Sequence, residues 1–184
     1  MLHFSPFIIN LFYTYQDAAK LYFVLECADK GELLHWGKKV GSFDEECNRF
    51  YSAEILMALD HMHSKGIIHR DLKPENILFA SGEEEIVVTD FGIASFGEDD
   101  LFTAVETKDG TRLANFQYAA PEQRIRGGDI TQSADIYALG LMINELFTGQ
   151  LPLGKNHETI GSKHQDFGYL DSVVEKMLQQ NASD

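Results

Sequence analysis

An α+β fold is expected for this chain of 184 residues, on three observations. The first stretch consists of short runs rich in Ile, Phe, Tyr, Val and Leu. Two later segments carry apolar residues at three- and four-residue spacing. The order is strands, then mostly helices, which is an α+β arrangement. The length suits one domain and is enough to bury a core without disulfides.

Phe7 to Tyr15 and Leu21 to Glu26 read as two antiparallel strands, with Gln16 to Lys20 as the loop between them. Asp29-Lys30-Gly31 is a turn, and a short helix is expected near Glu32 to Lys39. Ser42 and Glu45 fit a Ser-x-x-Glu capping box. The helix beyond it buries a stripe of Cys47, Phe50, Tyr51, Ile55, Ala58, Leu59 and Met62 and closes at Gly66. Short strands are expected at Ile67 to His69, Ile77 to Ala80 and Ile86 to Thr89, with an exposed acidic turn between the last two. Phe91 to Gly128 has no periodicity, and irregular segments of that length inside a domain are usually functional. Ser133 to Leu146 is a helix ending at Gly149, with almost no polar face, so it should be buried. A final amphipathic helix covers about Tyr169 to Gln180.

Composition excludes several classes. Hydrophobic residues make up 44% and charged residues 24%, as in soluble globular proteins. A net charge of −14 and a pI near 4.8 disfavour nucleic acid and anionic membrane as partners. No apolar run approaches the ~18 residues of a membrane span. Met1 to Asn10 lacks a basic start and a small-residue cleavage site, so it does not read as a signal peptide. Cys27 and Cys47 alone make no disulfide framework, and a reducing, cytoplasmic compartment is expected. His61, His63 and His69 could suggest a metal cluster, but residues two apart on a helix do not share a face.

The chemistry concentrates after the first long helix. The loop reads His69-Arg70-Asp71-Leu72-Lys73-Pro74-Glu75-Asn76; Asp90-Phe91-Gly92 follows the next strand pair, and Ala120-Pro121-Glu122 lies about thirty residues further on. Asp-Phe-Gly alone would be weak evidence, whereas the ordered set with this spacing and local structure is specific. The chain resembles the eukaryotic-type Ser/Thr protein kinase family over essentially its whole length. The first half, with "LYFVLECADKGELL" and "FDEECNRFYSAEI", is most similar to the phosphoinositide-dependent kinase branch. The second, with "NFQYAAPEQ" and "SADIYALGLMINELFTG", looks more like bacterial serine/threonine kinases.

The resemblance implies a protein-kinase-like fold with residues 1–28 as a two-strand small-lobe remnant and hinge, and 29–184 as the helical lobe. It implies transfer of the ATP γ-phosphoryl group to protein Ser or Thr, with ATP and Mg²⁺ as cofactors and Ser/Thr-bearing proteins as partners. Phosphoryl transfer needs little covalent work and much positioning and charge neutralisation. Asp71 matches the aspartate that orients the substrate hydroxyl and accepts its proton. Asn76 and Asp90 match the Mg²⁺ ligands, hard oxygen donors as that ion requires. Lys73 matches the lysine on the transferred phosphate, and Lys73-Pro74-Glu75 favours Ser/Thr over Tyr substrates. Leu25 resembles the gatekeeper, Glu26 to Ala28 the hinge on adenine, Glu32 the acidic residue near the ribose, and Leu78 the floor under adenine. Asp135 resembles a buried aspartate that accepts backbone N–H groups of the catalytic loop. Arg70 resembles the arginine that pairs with a phosphate on the activation loop, where Thr103, Thr107 and Thr111 are candidates.

Two departures accompany the match. Asn115 stands where many family members have threonine. No Gly-x-Gly-x-x-Gly loop and no matching strand lysine occur within these residues, so both ends are expected to fall inside a kinase domain, with an inactive piece as the result. Two alternatives stay open on the sequence: a non-catalytic interaction module on the kinase fold, and an artificial composite of related sequences.

Overall fold

The computed structural model describes residues 5–40, 43–81, 85–90, 117–125, 127–152 and 157–179. In chain order the elements are β1 (Leu11–Gln16), β2 (Leu21–Leu25), α1 (Leu33–Val40), α2 (Glu45–Ser64), β3 (Ile77–Phe79), β4 (Ile86–Val88), α3 (Ser133–Thr148), α4 (Ile160–Lys163) and α5 (Tyr169–Met177). Single 3₁₀ turns lie at Pro74–Asn76, Pro121–Arg124 and Gln165–Phe167. The mixed α+β architecture expected from the sequence is present.

β1 and β2 form the expected antiparallel hairpin, with Tyr15 opposite Tyr22 and Thr14 opposite Phe23. Asp17 closes it: Oδ1 accepts the N–H groups of Ala19 and Lys20 at 2.7 Å each, and Oδ2 accepts the Tyr22 hydroxyl at 2.8 Å. These donors, the Ala19 N–H first, hold the Asp17 carboxyl below its usual range. The first strand begins at Leu11 and not at Phe7. Phe7 to Ile9 instead follow β4 in a parallel bridge, with the Val88 N–H on the Phe7 carbonyl at 2.9 Å. The hairpin itself is open on both faces, with Leu21 64% and Tyr13 62% exposed.

The core sits between α2, α3 and the β3–β4 pair. Leu33, Ile55, Leu59, Leu72, Ile77, Ile86, Leu139 and Met142 are all buried in it. α3 is buried nearly all round, as its apolar sequence requires. Gly140 lets α5 approach it closely: a Cβ there would lie 2.8 Å from Cβ of Met177. Gly149 ends α3 in the left-handed conformation, φ 75°.

Four local expectations give way. The cap of α2 is Asp44, whose side chain accepts the Cys47 N–H at 2.8 Å, while Ser42 lies outside the described residues. Phe50 is 49% exposed, and the buried stripe of α2 includes Asn48 and Glu54. Glu54 is buried because its Oε2 accepts the Ile86 N–H at 3.0 Å, tying α2 to β4; burial raises its pKa. Ile67 to His69 is not a strand, because its backbone donors are taken up elsewhere: Ile67 by the Met62 carbonyl and His69 by Asp135. The last helix ends at Met177 and not at Gln180, which lies outside the described residues. Among the described residues no helix is long and apolar enough to cross a membrane.

Candidate active site

The loop after α2 is shaped by a carboxylate that comes from α3. Asp135 is 1% exposed; its Oδ2 accepts the His69 N–H at 2.9 Å and its Oδ1 the Arg70 N–H at 2.8 Å. His63, near the end of α2, donates from Nε2 to the same Oδ2 at 2.8 Å. The carboxylate thus joins two helices and the loop between them. Arg70 has φ 69° and Asp90 φ 58°, the two non-glycine residues of positive φ among those described. Such conformations cost about 1–3 kcal/mol and persist where surrounding contacts over-determine them.

His69 is fully buried with its ring engaged at both nitrogens. Nε2 donates to the Thr89 carbonyl at 2.9 Å, and Nδ1 accepts the Asp71 N–H at 3.3 Å. Protonating Nδ1 would remove that acceptor. Burial pushes the pKa of His69 below its ordinary 6.5, against the raising influence of Asp135. The unfolded chain therefore binds a proton here before the folded one does. The stability contributed by neutral His69 is complete above 6.5 and is lost as pH falls below it. Glu54, with its raised pKa, acts in the opposite sense. We expect urea midpoints to fall between about pH 7.5 and about pH 5.5, the histidine range, and to fall less steeply in His69→Phe. Equal slopes would refute the assignment.

Asp71, Lys73 and Asn76 form one cluster. Asp71 Oδ2 accepts from Lys73 Nζ at 2.8 Å and from Asn76 Nδ2 at 3.2 Å, and Asn76 Nδ2 also donates to the Asp71 carbonyl at 2.8 Å. Both amide hydrogens of Asn76 are thus spent on Asp71, so Oδ1 is the atom of this side chain that could serve a cation. Asp90 is brought alongside through its neighbour. The Thr89 N–H bonds the Asn76 carbonyl at 2.9 Å while the Thr89 carbonyl receives His69 Nε2. Two carboxylates, an amide oxygen and an ammonium on adjoining segments are a donor set suited to a hard divalent cation and a phosphate.

The residues expected around the nucleotide are less closely grouped. Glu32 bridges Leu78 in antiparallel register, and the Phe79 N–H bonds the Gly31 carbonyl at 3.0 Å, so this turn lies along β3. Leu78 is partly buried, whereas Leu25, at the end of β2, is 41% exposed. The Glu26 carboxylate is engaged by Asn10, whose Nδ2 donates at 2.7 Å. Ala28 is partly buried and follows Cys27, whose carbonyl accepts the Ser81 hydroxyl at 2.6 Å. Thr103, Thr107, Thr111 and Asn115 lie outside the described residues.

Two further connections were not legible beforehand. Gln123, in the turn after Ala120, donates from Nε2 to the Arg70 carbonyl at 2.6 Å and accepts the Ala120 N–H at 3.0 Å. The Tyr118 hydroxyl donates to Glu145 of α3, and burial, then that carboxylate, pushes the phenol pKa up. Neither pair has a periodicity or spacing that would single it out. His63 was visible only as one of three neighbouring histidines.

The helical platform, the aspartate-anchored loop and the Asp71–Asn76–Asp90 grouping define a protein kinase domain. Residues 1–182 match the protein kinase domain family, and the chain belongs to it. It is 44% identical over 153 residues to 3-phosphoinositide-dependent protein kinase 1 of Rattus norvegicus, covering 83% of this chain and 26% of that protein. It is 41% identical over 167 residues to the serine/threonine-protein kinase ppk21 of Schizosaccharomyces pombe, covering 89% of this chain and 30% of that one. A RAC family serine/threonine-protein kinase homolog of Dictyostelium discoideum is 40% identical over 147 residues, 80% of this chain and 32% of its own length. The chain thus spans about a quarter to a third of the length of these relatives. A match of 153 residues does not fit within the first half, so the likeness to the phosphoinositide-dependent branch continues into the second.

Proposed function

We propose that the chain is the reacting part of a Ser/Thr protein kinase domain, with residues 1–28 supplying the hairpin and hinge and 29–184 the lobe that carries the catalytic and activation loops. The observation that supports this most directly is the hydrogen-bonded cluster of Asp71, Lys73 and Asn76 beside Asp90. In this reading Asp71 orients the substrate Ser or Thr hydroxyl and takes its proton as the new O–P bond forms and the bond to ADP breaks. Lys73, held by Asp71 before the reaction, contacts the transferred phosphoryl group. Asn76 Oδ1 and the Asp90 carboxylate would hold Mg²⁺, which would supply positive charge to neutralise the phosphates. The need for a cation is also electrostatic, since a chain of net charge −14 repels a polyphosphate. Glu26 to Ala28 offer backbone groups to adenine, Leu25 and Leu78 line it, and Glu32 faces the ribose.

Because these 184 residues contain no Gly-x-Gly-x-x-Gly loop, they are expected to bind Mg²⁺-ATP weakly and to turn over poorly by themselves. Losing one preorganised charge-stabilising donor already costs roughly 10²–10³ in rate. Isothermal titration tests the reading: weak binding that requires Mg²⁺ and is nearly abolished in Asp90→Asn is the expected result. Binding of equal strength with and without Mg²⁺ would sink it.

A further inference from the structure

Arg70 is left-handed, a conformation that is unfavourable for a residue with a Cβ, so something must hold it. Its N–H is held by Asp135. The next peptide plane, which joins Arg70 to Asp71 and carries the Asp71 Cα, is held on both edges. On one edge the Asp71 N–H reaches His69 Nδ1 at 3.3 Å, a long bond from within the loop. On the other edge the Arg70 carbonyl receives Gln123 Nε2 at 2.6 Å, from a different element.

Gln123 is well placed to act as a stop. It is 8% exposed, and its Oε1 is occupied by the Ala120 N–H at 3.0 Å, so the amide cannot flip without losing both bonds. The turn that carries it packs closely on Gly128, where a Cβ would lie 2.1 Å from the Glu122 carbonyl oxygen, and the Gly128 N–H bonds the Ile125 carbonyl at 3.1 Å. The same segment is tied to α3 through Tyr118 and Glu145. Asp135 is also on α3, so the two side chains that clamp Arg70 from its N–H and carbonyl sides are referred to one rigid helix.

We infer that Gln123 is a positioning residue for Asp71, setting the peptide plane from which the Asp71 side chain projects. This rests on the reading of Asp71 as the residue that meets the substrate hydroxyl. It makes the segment after Ala120 a direct determinant of the geometry of the Asp71 loop.

Two variants test it. Gln123→Glu keeps the acceptor for Ala120 but turns a carboxylate oxygen towards the Arg70 carbonyl. Gln123→Met removes both polar atoms at similar length. Gln179→Glu, at an exposed position just after α5, controls for added charge. Backbone NMR shifts of Arg70 and Asp71 should leave their wild-type positions in both Gln123 variants and not in the control. Exchange of the Asp71 amide should speed up by about 10-fold or more, as a local opening would require. In phosphotransfer to a Ser/Thr peptide, kcat should fall about 10- to 100-fold with KM for Mg²⁺-ATP little changed. Should Gln123→Met not fold, Gln123→Glu carries the same reading. Wild-type shifts of Arg70 and Asp71 in a folded Gln123 variant would overturn the inference. If the unaltered chain neither binds Mg²⁺-ATP nor transfers phosphate, the proposed function fails, and the NMR comparison still decides the clamp.

Discussion

Replacing Asp135 with alanine is expected to destabilise the protein by about 3–5 kcal/mol, the cost of breaking a buried charged contact from one side. The carboxylate is 1% exposed and accepts from the His69 N–H, the Arg70 N–H and His63 Nε2, all within 2.9 Å. Alanine leaves two backbone donors in the interior with no partner, each costing about 1–3 kcal/mol. It also removes one of the two side chains that hold the left-handed Arg70. In a chain of this size the loss corresponds to roughly 6–20 °C in Tm. Asp135→Asn should fall between wild type and Asp135→Ala, because an amide offers one acceptor and turns a donor towards the remaining N–H. Asp60→Ala, on the exposed face of α2, serves as the comparison. Thermal and urea unfolding would measure the series; a loss below about 1 kcal/mol, the scale of an ordinary hydrogen bond, would show that the loop is held by something else.

The second large effect is on turnover. Asp71→Asn should lower phosphotransfer to a Ser/Thr peptide by roughly 10²–10⁴-fold, the range for removing a general base, while leaving stability nearly unchanged. The Asp71 side chain is 37% exposed, so its loss strands little. Asparagine has the same shape, but its amide is not basic enough to accept the hydroxyl proton and carries no charge to pair with Lys73 Nζ, now 2.8 Å from Oδ2. Mg²⁺-ATP affinity should survive in Asp71→Asn and fail in Asp90→Asn, which separates the role of proton acceptor from that of metal ligand. The comparison is made on the activity of the wild-type chain, however small. Retention of most of that activity in Asp71→Asn would remove Asp71 from the chemistry.

The candidate reacting residues were legible in the sequence, and for a common reason. Asp71, Asn76 and Asp90 lie in short contiguous motifs whose order and spacing match those of protein kinases, so no tertiary information is needed to find them. α3 was visible because a run with almost no polar face must be buried, and the hairpin because two β-rich runs flank a turn. Asp135, the buried partner of the loop, came from resemblance, since a lone aspartate at the start of an apolar helix has no local signal that says what it binds.

What tertiary structure alone decided concerns contacts between residues far apart in the chain. Glu54 is buried because β4 offers the Ile86 N–H to it on one side of α2, while Phe50 on the same helix is half-exposed, so burial follows the neighbour present more than residue polarity. Ile67 to His69 has the composition of a strand, yet the backbone donors that would pair in a sheet are claimed by the α2 carbonyl of Met62 and by Asp135. Gln123 is one polar residue in a polar turn, and only folding places its amide 2.6 Å from the carbonyl of a residue 53 positions earlier. The kinase family and the order of the elements were legible in the sequence, because both are written in local patterns of side chains. How the peptide plane between Arg70 and Asp71 is held was decided by the fold, because a peptide plane is held by whichever donors and acceptors three-dimensional packing brings to its edges.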